Sequence, residues 1–261
     1  MSSKIHATAI IDPKARIDST VSIGAYSVIG PNVTIGRDTA IGAHVVIEGD
    51  VKIGVNNQIF HGTVIGTPAQ DKSYKGTPAS VRIGSDNVIR EYVTVHLSTR
   101  EDQPTFIGDR NYLMTYTHAG HDSRIENDVT IANSAHLGGH VRIDSGVFVG
   151  GVVAFHQFVR VGEKAMIGGF SRIVRDVPPY ALVQGNPAGL SGVNAVGLKR
   201  SGMKPDLILS IRKAYQHLFF KKGIFQELLE TFEDNGIDEL QKLKSFLSSG
   251  KRGITMRSKG V

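Results

Sequence analysis

A six-residue repeat of apolar side chains constrains the fold of this chain more than any other feature. Apolar residues occupy every sixth position over Ile5–Ile65, at Ile83, Ile89 and Val95, and again over Ile107–Ile173. A period of six fits neither the 3.6-residue turn of an α-helix nor the alternation of an open β-strand. It is typical of a hexapeptide β-helix, in which each hexapeptide supplies one short strand and one turn.

The repeat also predicts how such coils are built. Three hexapeptides close one triangular coil of 18 residues, and successive coils stack about 4.8 Å apart. The sixth-position side chains then point inward and form a continuous core. Glycine often follows the core residue, as in Ile23-Gly24 and Ile41-Gly42, and glycine suits those turns of the coil that need a positive φ. The spacing does not determine the handedness of the coil.

The repeat lapses at two places. Near 67–80 and 97–106, polar residues such as Asp71 and Glu101 would occupy core positions. We therefore predict that both stretches are loops that leave the coil. Loops on a rigid scaffold often carry function, and a tolerated surface insertion is the alternative for each of them.

The pattern becomes helical near the C-terminus. A proline at a helix start, Pro205, precedes apolar residues at three-to-four spacing, and Gly223 and Gly236 separate two more amphipathic segments. We predict a mainly β chain with two domains. A parallel β-helix covers residues 1–189, and a C-terminal α-helical domain covers residues 190–261.

Composition restricts the compartment. The chain has no cysteine, which excludes disulfides and thiolate metal sites and favours a reducing compartment. No apolar run approaches the roughly 18–20 residues of a membrane-spanning helix, and the first residues lack a signal-peptide pattern. We expect a cytoplasmic protein without an integral membrane segment.

The net charge is concentrated at one end. The range Lys199–Val261 holds 13 Lys or Arg and 7 Asp or Glu, an excess equal to the +6 of the whole chain. A basic end on a neutral body indicates an anionic partner, which could be a phosphate, an acidic protein, nucleic acid or a membrane surface. Solubility alone is the alternative explanation.

A short aliphatic and glycine-rich stretch carries four histidines and an aspartate. Residues 18 apart lie above one another in the predicted coil, so His118 should stack with His136, and Asp122 with His140. His121 comes two positions after an inward alanine, and we expect it to face outward where a partner can reach it.

Spacing alone leaves three interpretations of this cluster open. Histidines on adjacent coils could bind zinc, since three imidazole ligands leave an open catalytic position. They could instead be acid–base and substrate-binding groups, because imidazole titrates near neutral pH and an adjacent carboxylate can orient it. They could also decorate turns and subunit contacts, which would make the chain a binding solenoid.

Six motifs carry a specific resemblance. They are GTPAQD at 66–71, HAGHD at 118–122, LGGHV at 137–141, AFHQF at 154–158, DVPPYALVQGNP at 176–187 and GVNAVGLKRSG at 192–202. In this combination the chain resembles, over essentially its full length, the acyl-carrier-protein-dependent UDP-N-acetylglucosamine O-acyltransferases of lipid A biosynthesis. The resemblance implies a left-handed parallel β-helix and a homotrimer with active sites between subunits. It implies no metal and no cofactor.

The resemblance also implies a reaction and roles for single residues. A (3R)-3-hydroxyacyl group would pass from acyl carrier protein to the glucosamine 3-position of UDP-N-acetylglucosamine, the first step of lipid A biosynthesis. His121 would be the general base, Asp122 its orienting partner, and the Gly139 backbone N–H the oxyanion donor. Gly169 would set acyl length, and a glycine there is expected to admit a longer chain than a bulky residue. Substrate binding is implied for Asp71, His118, His140, His156, Gln157, Asn194 and Arg200.

Three departures from the family pattern keep alternatives open. Ser73 stands where the family has a lysine, Val196 where it has an acid near the ribose, and Pro187 where a histidine sometimes follows the Q-G-N segment. A 3-hydroxyl and a 3-amino acceptor sugar both remain open, as does a zinc enzyme of the γ-carbonic-anhydrase type. Because acyl carrier proteins are acidic, the resemblance assigns the basic end to carrier docking and not to nucleic acid. The expected docking patch consists of Lys199, Arg200, Lys204, Arg212 and Lys213.

Overall fold

The computed structural model describes residues 4–257, which form a three-sided β-helix followed by short helices. The strands are short because the chain turns at every corner of the triangle, and each coil strand pairs in parallel with the strand one coil away. The first sheet contains β1 Ile10–Ile11, β4 Val28–Ile29, β7 Val46–Ile47, β10 Val64–Thr67, β13 Thr94–His96, β16 His118–Ala119, β19 His136–Leu137, β22 Ala154–Phe155 and β25 Arg172–Ile173. The second sheet contains β2 Arg16–Ile17, β5 Val33–Ile35, β8 Asp50–Ile53, β11 Ser80–Ile83, β14 Thr105–Ile107, β17 Arg124–Ile125, β20 Arg142–Ile143 and β23 Arg160–Val161. The third sheet contains β3 Ser22–Ile23, β6 Ala40–Ile41, β9 Gln58–Ile59, β12 Val88–Ile89, β15 Tyr112–Leu113, β18 Thr130–Ile131, β21 Phe148–Val149, β24 Met166–Ile167, β26 Ala181–Gly185 and β27 Ala188–Val193.

The register of the sheets stacks the core side chains of successive coils. Ala119 pairs with Leu137, and Leu137 pairs with Phe155 on the next coil. All three are buried, and the same pairing continues along the axis. Burying this apolar column stabilises the fold by about 25 cal/mol for each Å² of apolar surface removed from water. The chain is a mainly β, left-handed parallel β-helix with a helical C-terminal part, and the fold class predicted from the sequence is confirmed.

The corners need positive φ, and glycine serves some of them, such as Gly62 and Gly146 with φ of +69° and +70°. The corner residue with positive φ comes three positions after the core residue and is often not glycine; Asp122 and Asp128 have φ of +59° and +58°. Glycines directly after core residues lie where adjacent coils approach most closely. A Cβ on Gly24 or on Gly120 would lie 2.6 Å from backbone atoms of the next coil. Close approach, and not positive φ, therefore requires glycine at these positions.

Two loops leave the coil near the predicted places. The 68–79 loop joins β10 to β11, and the 97–104 loop joins β13 to β14. The second loop is anchored at its base, because Leu97 and Ser98 are buried. The Leu97 N–H donates to the Thr67 carbonyl at 2.9 Å. This loop is therefore part of the packed structure.

The C-terminal part covers the last coil. β26 and β27 form an antiparallel hairpin that the sequence pattern did not predict. The helices are α1 Ala195–Arg200, α2 Pro205–Tyr215 with a π-helical continuation over Gln216–Phe220, α3 Phe225–Glu230 and α4 Asp238–Ser248. Pro205 begins α2 as predicted. The predicted boundary between the two domains, at residues 189 and 190, falls inside β27. The division into two domains therefore stays a prediction.

Arg160 links this helical part to the β-helix. Its Nε donates to Asp176 Oδ2 at 2.8 Å, and one terminal nitrogen donates to the Phe246 carbonyl at 3.0 Å. The guanidinium also lies 4.3 Å from the centroid of the Phe246 ring. The helices formed by residues 4–257 all lack the length and apolar character needed to cross a membrane.

Candidate active site

One edge of the prism gathers most of the predicted site residues. Between the first and second sheets, the turns 120–122, 138–140 and 156–158 follow β16, β19 and β22. The backbone of one turn bonds to the next, since the His140 N–H donates to the His121 carbonyl at 2.9 Å. We call these three stacked turns the histidine edge.

A histidine and a carboxylate form a direct pair on this edge. His121 Nδ1 lies 2.7 Å from Asp122 Oδ2, and the two side chains are 5% and 6% exposed. Since Nδ1 is bonded to the carboxylate, Nε2 is the ring nitrogen left for proton exchange. His140 Nε2 lies 3.5 Å from the same carboxylate oxygen. The predicted proximity of Asp122 and His140 is thereby confirmed.

The 97–104 loop holds the carboxylate of this pair. Thr99 Oγ1 donates to Asp122 Oδ2 at 2.8 Å, and the Thr99 N–H donates to both carboxylate oxygens at 3.1 and 3.2 Å. The Asp122 N–H donates to Thr105 Oγ1 at 2.8 Å. Thr99 was missed by sequence reasoning, because a loop residue outside the repeat has no register that places it.

His121 is enclosed, and the expectation of a solvent-accessible ring was wrong for the single chain. The residue is only 4% exposed. Its ring lies outside the apolar core and rests on Gly139, where an added Cβ would lie 2.3 Å from Cε1 and 2.4 Å from Nε2. The perpendicular ring of His140 lies on another side, with centroids 5.2 Å apart. The ring fits because position 139 has no side chain.

The backbone beside the ring offers a free donor. The N–H groups of Gly138 and His140 donate to carbonyls at 3.2 and 2.9 Å. Among residues 4–257, no acceptor receives the Gly139 N–H. The His121 imidazole and this backbone N–H therefore lie side by side on the histidine edge.

His118 lies on the face of the first sheet, next to this edge. It pairs in register with His136, as predicted, and its Nδ1 lies 2.8 Å from Thr94 Oγ1. Burial, followed by the charges of His96 and the other neighbouring histidines, lowers the pKa of His118 to about 4. His118 is therefore neutral near pH 7. Sequence reasoning also missed His96, a buried ring 5.2 Å from that of His118.

Asp71 in the 68–79 loop is within electrostatic reach of the histidine edge. Ser73 donates to Asp71 Oδ1 through its N–H and its Oγ, both at 2.8 Å. These bonds lower the pKa of Asp71, and positive charge on His121 or His140 lowers it further. Ser73 therefore stabilises the ionised form of Asp71.

The third turn is the open side of the edge. His156 and Gln157 are exposed. The Phe158 ring stacks on His140 with centroids 4.5 Å apart and planes 8° from parallel. Burial lowers the pKa of His140, an effect that the nearby Asp122 carboxylate opposes.

Three predicted residues lie away from this edge within the chain. Gly169 follows β24, on the edge between the third and first sheets. Asn194 caps α1, since its Oδ1 accepts from the Gly197 N–H at 3.1 Å and its Nδ2 donates to the Lys164 carbonyl at 3.0 Å. Arg200 ends α1 and is exposed. One chain does not bring these three residues to His121.

The cluster also has the spacing of a metal site. Within residues 4–257, His121, Asp122 and His140 form a group whose ligand atoms lie within 4.8 Å of one another. Two ligand atoms on one tetrahedral zinc lie roughly 3.4 Å apart, given bonds of about 2.1 Å. The 2.7 Å between His121 Nδ1 and Asp122 Oδ2 is shorter than that and is a hydrogen-bond distance.

Known proteins have the same fold and a similar sequence. Residues 176–255 match a family profile described as UDP N-acetylglucosamine O-acyltransferase, domain 2, and residues 2–37 match bacterial transferase hexapeptide repeats. The acyl-[acyl-carrier-protein]–UDP-N-acetylglucosamine O-acyltransferase of Alkalilimnicola ehrlichii is 46% identical over 255 residues, which cover 97% of this chain and 99% of the relative. The enzyme of the same name from Synechocystis is 50% identical over 174 residues, which cover 67% of this chain and 63% of the relative. The crystal structure of the UDP-N-acetylglucosamine O-acyltransferase of Moraxella catarrhalis aligns with a TM-score of 0.92 at 36% identity, covering 97% of this chain and 99% of that chain.

Proposed function

The chain belongs to the UDP-N-acetylglucosamine O-acyltransferase family, and from this membership we propose that it acylates the glucosamine 3-hydroxyl of UDP-N-acetylglucosamine. It is an acyltransferase, and its donor is a (3R)-3-hydroxyacyl thioester of acyl carrier protein. The reaction is the first step of lipid A biosynthesis. The observation that carries the chemistry is the meeting of the His121–Asp122 pair with the free Gly139 N–H.

His121 acts as the general base. Its Nδ1–H donates to Asp122, so Nε2 can take the proton of the sugar hydroxyl as that oxygen attacks the thioester carbonyl. Asp122 fixes the tautomer and stabilises the imidazolium that forms. A positioned base of this kind contributes about 10²–10⁴-fold to the rate.

Gly139 stabilises the intermediate. Its N–H donates to the former carbonyl oxygen, which becomes negative when the sugar oxygen adds to the carbon. The intermediate then collapses, the carbon–sulfur bond breaks, and the His121 imidazolium gives its proton to the departing thiolate. The products are the 3-O-acyl sugar nucleotide and the free carrier thiol, and the base is regenerated.

The remaining predicted residues are assigned to binding. A homotrimer would place Gly169, Asn194 and Arg200 of a neighbouring subunit beside the histidine edge, which accounts for their position on other parts of their own chain. The acidic carrier protein would dock on the basic patch defined above. The cytoplasmic location stays a prediction. The residues assigned to the sugar nucleotide within one chain are Asp71, His118, His140, His156 and Gln157.

The test is His121→Ala, assayed by mass spectrometry of the products from acyl carrier thioesters. We expect turnover to fall at least about 10²-fold, because the base acts in the transition state. The oligomeric state measured by size-exclusion chromatography should not change. Turnover close to that of the unmodified protein would refute the assignment of the base.

The acceptor atom is identified in the same assay. UDP-N-acetylglucosamine and its 3-amino analogue are offered together with one acyl carrier thioester. An ester product is cleaved by mild base, whereas an amide product survives. A predominantly amide product would overturn the 3-hydroxyl assignment and leave the base chemistry intact.

A zinc hydro-lyase is the second candidate, because potential ligand atoms of His121, Asp122 and His140 lie within 4.8 Å of one another. Metal analysis of the purified protein, followed by assay after dialysis against a chelator, separates the two. Acyl transfer that survives dialysis supports the acid–base mechanism. Stoichiometric zinc whose removal abolishes activity would favour the metal enzyme.

A further inference from the structure

We propose that Thr99 is a positioning residue for acyl transfer, which holds the Asp122 carboxylate in the orientation that Asp122 needs to align His121. The proposal rests on the proposed function, in which His121 is the base. Thr99 is far from His121 in sequence and lies in the 97–104 loop, outside the hexapeptide repeat. It acts through Asp122 and is not itself a catalytic residue.

The hydrogen bonds determine the plane of the carboxylate. Asp122 Oδ2 accepts from Thr99 Oγ1 at 2.8 Å and contacts His121 Nδ1 at 2.7 Å. The Thr99 N–H is shared between the two carboxylate oxygens at 3.1 and 3.2 Å. Because Thr99 and His121 bind the same oxygen, rotation of the carboxylate away from His121 would also break the bonds to Thr99.

A corner aspartate elsewhere in the prism shows what the loop contributes. Asp122 and Asp128 hold the same left-handed corner position on two successive corners of one coil. The Asp128 side chain is 54% exposed, and it pairs with Arg110 at the surface. The Asp122 side chain is 6% exposed. At Asp122 the 97–104 loop supplies the N–H and Oγ1 of Thr99 as donors, whereas the Asp128 carboxylate accepts from Arg110 at the surface.

The loop is built to hold this position. Leu97 and Ser98 are buried at its first end. At its other end, Thr105 is buried and accepts the Asp122 N–H at 2.8 Å. Asp122 is therefore bonded on both sides of this segment, its side chain by Thr99 in the loop and its backbone by Thr105 at the start of β14. A fixed donor to a carboxylate costs no reorganisation during the reaction.

The experiment compares Thr99→Val with Thr99→Ser by steady-state kinetics of acyl transfer. Valine keeps the shape and the backbone N–H but removes the Oγ1 donor, and serine restores the donor. We expect T99V to lower kcat about tenfold with KM unchanged, since one charge-assisted bond is lost and the substrate is not touched. T99S should stay within about twofold of the unmodified enzyme, because it keeps that bond.

A matched control is available in the chain. Thr115 Oγ1 donates to Glu91 Oε2 at 2.8 Å on a different edge of the prism. Thr115→Val removes a threonine–carboxylate bond of equal length without affecting Asp122. Thr115→Val should leave kcat within about twofold. The change in Tm of Thr115→Val shows how much the loss of such a bond destabilises the fold, and it is compared with the change in Tm of T99V.

A double-mutant cycle in the Asp122→Ala background tests the route of the effect. If Thr99 acts through Asp122, T99V should cost nothing further once Asp122 is absent. A further tenfold loss in that background, or a T99V enzyme as fast as the unmodified one, would overturn the proposal. If T99V does not fold, Thr99→Ala is measured in its place with the same expectations. An active His121→Ala enzyme would show instead that the proposed base is wrong, which is a different result.

Discussion

A methyl group added at Gly139 should disable the base while leaving the fold intact. In Gly139→Ala the new Cβ would lie 2.3 Å from His121 Cε1, 2.4 Å from Nε2 and 3.0 Å from Nδ1. Ordinary contact needs about 3.4 Å, so the ring must retreat by about 1 Å. The retreat would break the 2.7 Å contact with Asp122. The N–H of residue 139 is kept, so the substitution tests the ring position and not the oxyanion donor.

The expected magnitudes follow from what the methyl group meets. A displacement of about 1 Å in a reacting group can cost 10²-fold, and we expect kcat to fall by about that factor. The nearest atoms belong to a side chain and not to the backbone. The fold should therefore lose only about 1–3 kcal/mol through overpacking, which lowers Tm by a few degrees.

The assay is steady-state acyl transfer to UDP-N-acetylglucosamine, with Tm measured on the same samples. Gly151→Ala is the matched control, because Gly151 holds the same turn position on another edge and its Cβ would meet only the Asn133 carbonyl oxygen, at 3.4 Å. This control should leave Tm nearly unchanged, and only its Tm is compared, because Gly151 lies beside Gly169, the proposed acyl-length position. A G139A enzyme within about threefold of the unmodified kcat would refute the reasoning, since a displaced ring would then not matter.

Three further predictions follow from other parts of the molecule. Gly169→Met should shift the ratio of kcat/KM toward shorter acyl carrier thioesters, and unchanged selectivity would place the length-determining position elsewhere. The pKa of His118, about 4, lies below its unfolded value of about 6.5, so the unfolded state binds the proton first and stability falls as the pH drops from 6.5 to 4. In His118→Gln, the fall in the free energy of unfolding between pH 7 and pH 4 should be smaller by up to about 3 kcal/mol, as measured by denaturant unfolding at both pH values. An unchanged pH dependence would contradict the low pKa of His118. Binding of the acidic carrier protein should weaken steeply with salt, and Lys204→Glu should weaken it at low salt; salt-insensitive affinity would exclude the basic patch.

The hexapeptide period was sufficient to predict the coil, because its determinants are local. Away from the two loops, each core side chain packs on the residue 18 positions later, as Ala119 does on Leu137. Across the loops the step lengthens, to 30 residues between Ile65 and Val95 and to 24 between Val95 and Ala119. The 18-residue spacing predicted that His118 stacks with His136 and that Asp122 approaches His140. Where a fold repeats at a constant step, sequence distance translates directly into spatial distance.

Several features of the site depend on contacts that the 18-residue spacing of the coil does not describe. Thr99 reaches Asp122 from a loop whose path is set by tertiary packing, and no spacing rule relates the two residues. The enclosure of His121 depends on the absence of a side chain at Gly139 and on the orientation of the His140 ring. The glycines after core residues are required by the approach of the next coil, a contact that only assembled coils create.

The sequence by itself determined the repeating coil, the stacked histidines and the family, because these depend on residue identity at fixed intervals along the chain. Only the tertiary structure decided that the His121–Asp122 pair is buried, that a loop threonine holds it, and that the Gly139 N–H, unpaired within residues 4–257, lies beside it. These three features depend on how side chains and backbone groups are oriented toward one another. A hydrogen bond depends on distances of tenths of an ångström, which are set only when all the packed elements are in place together.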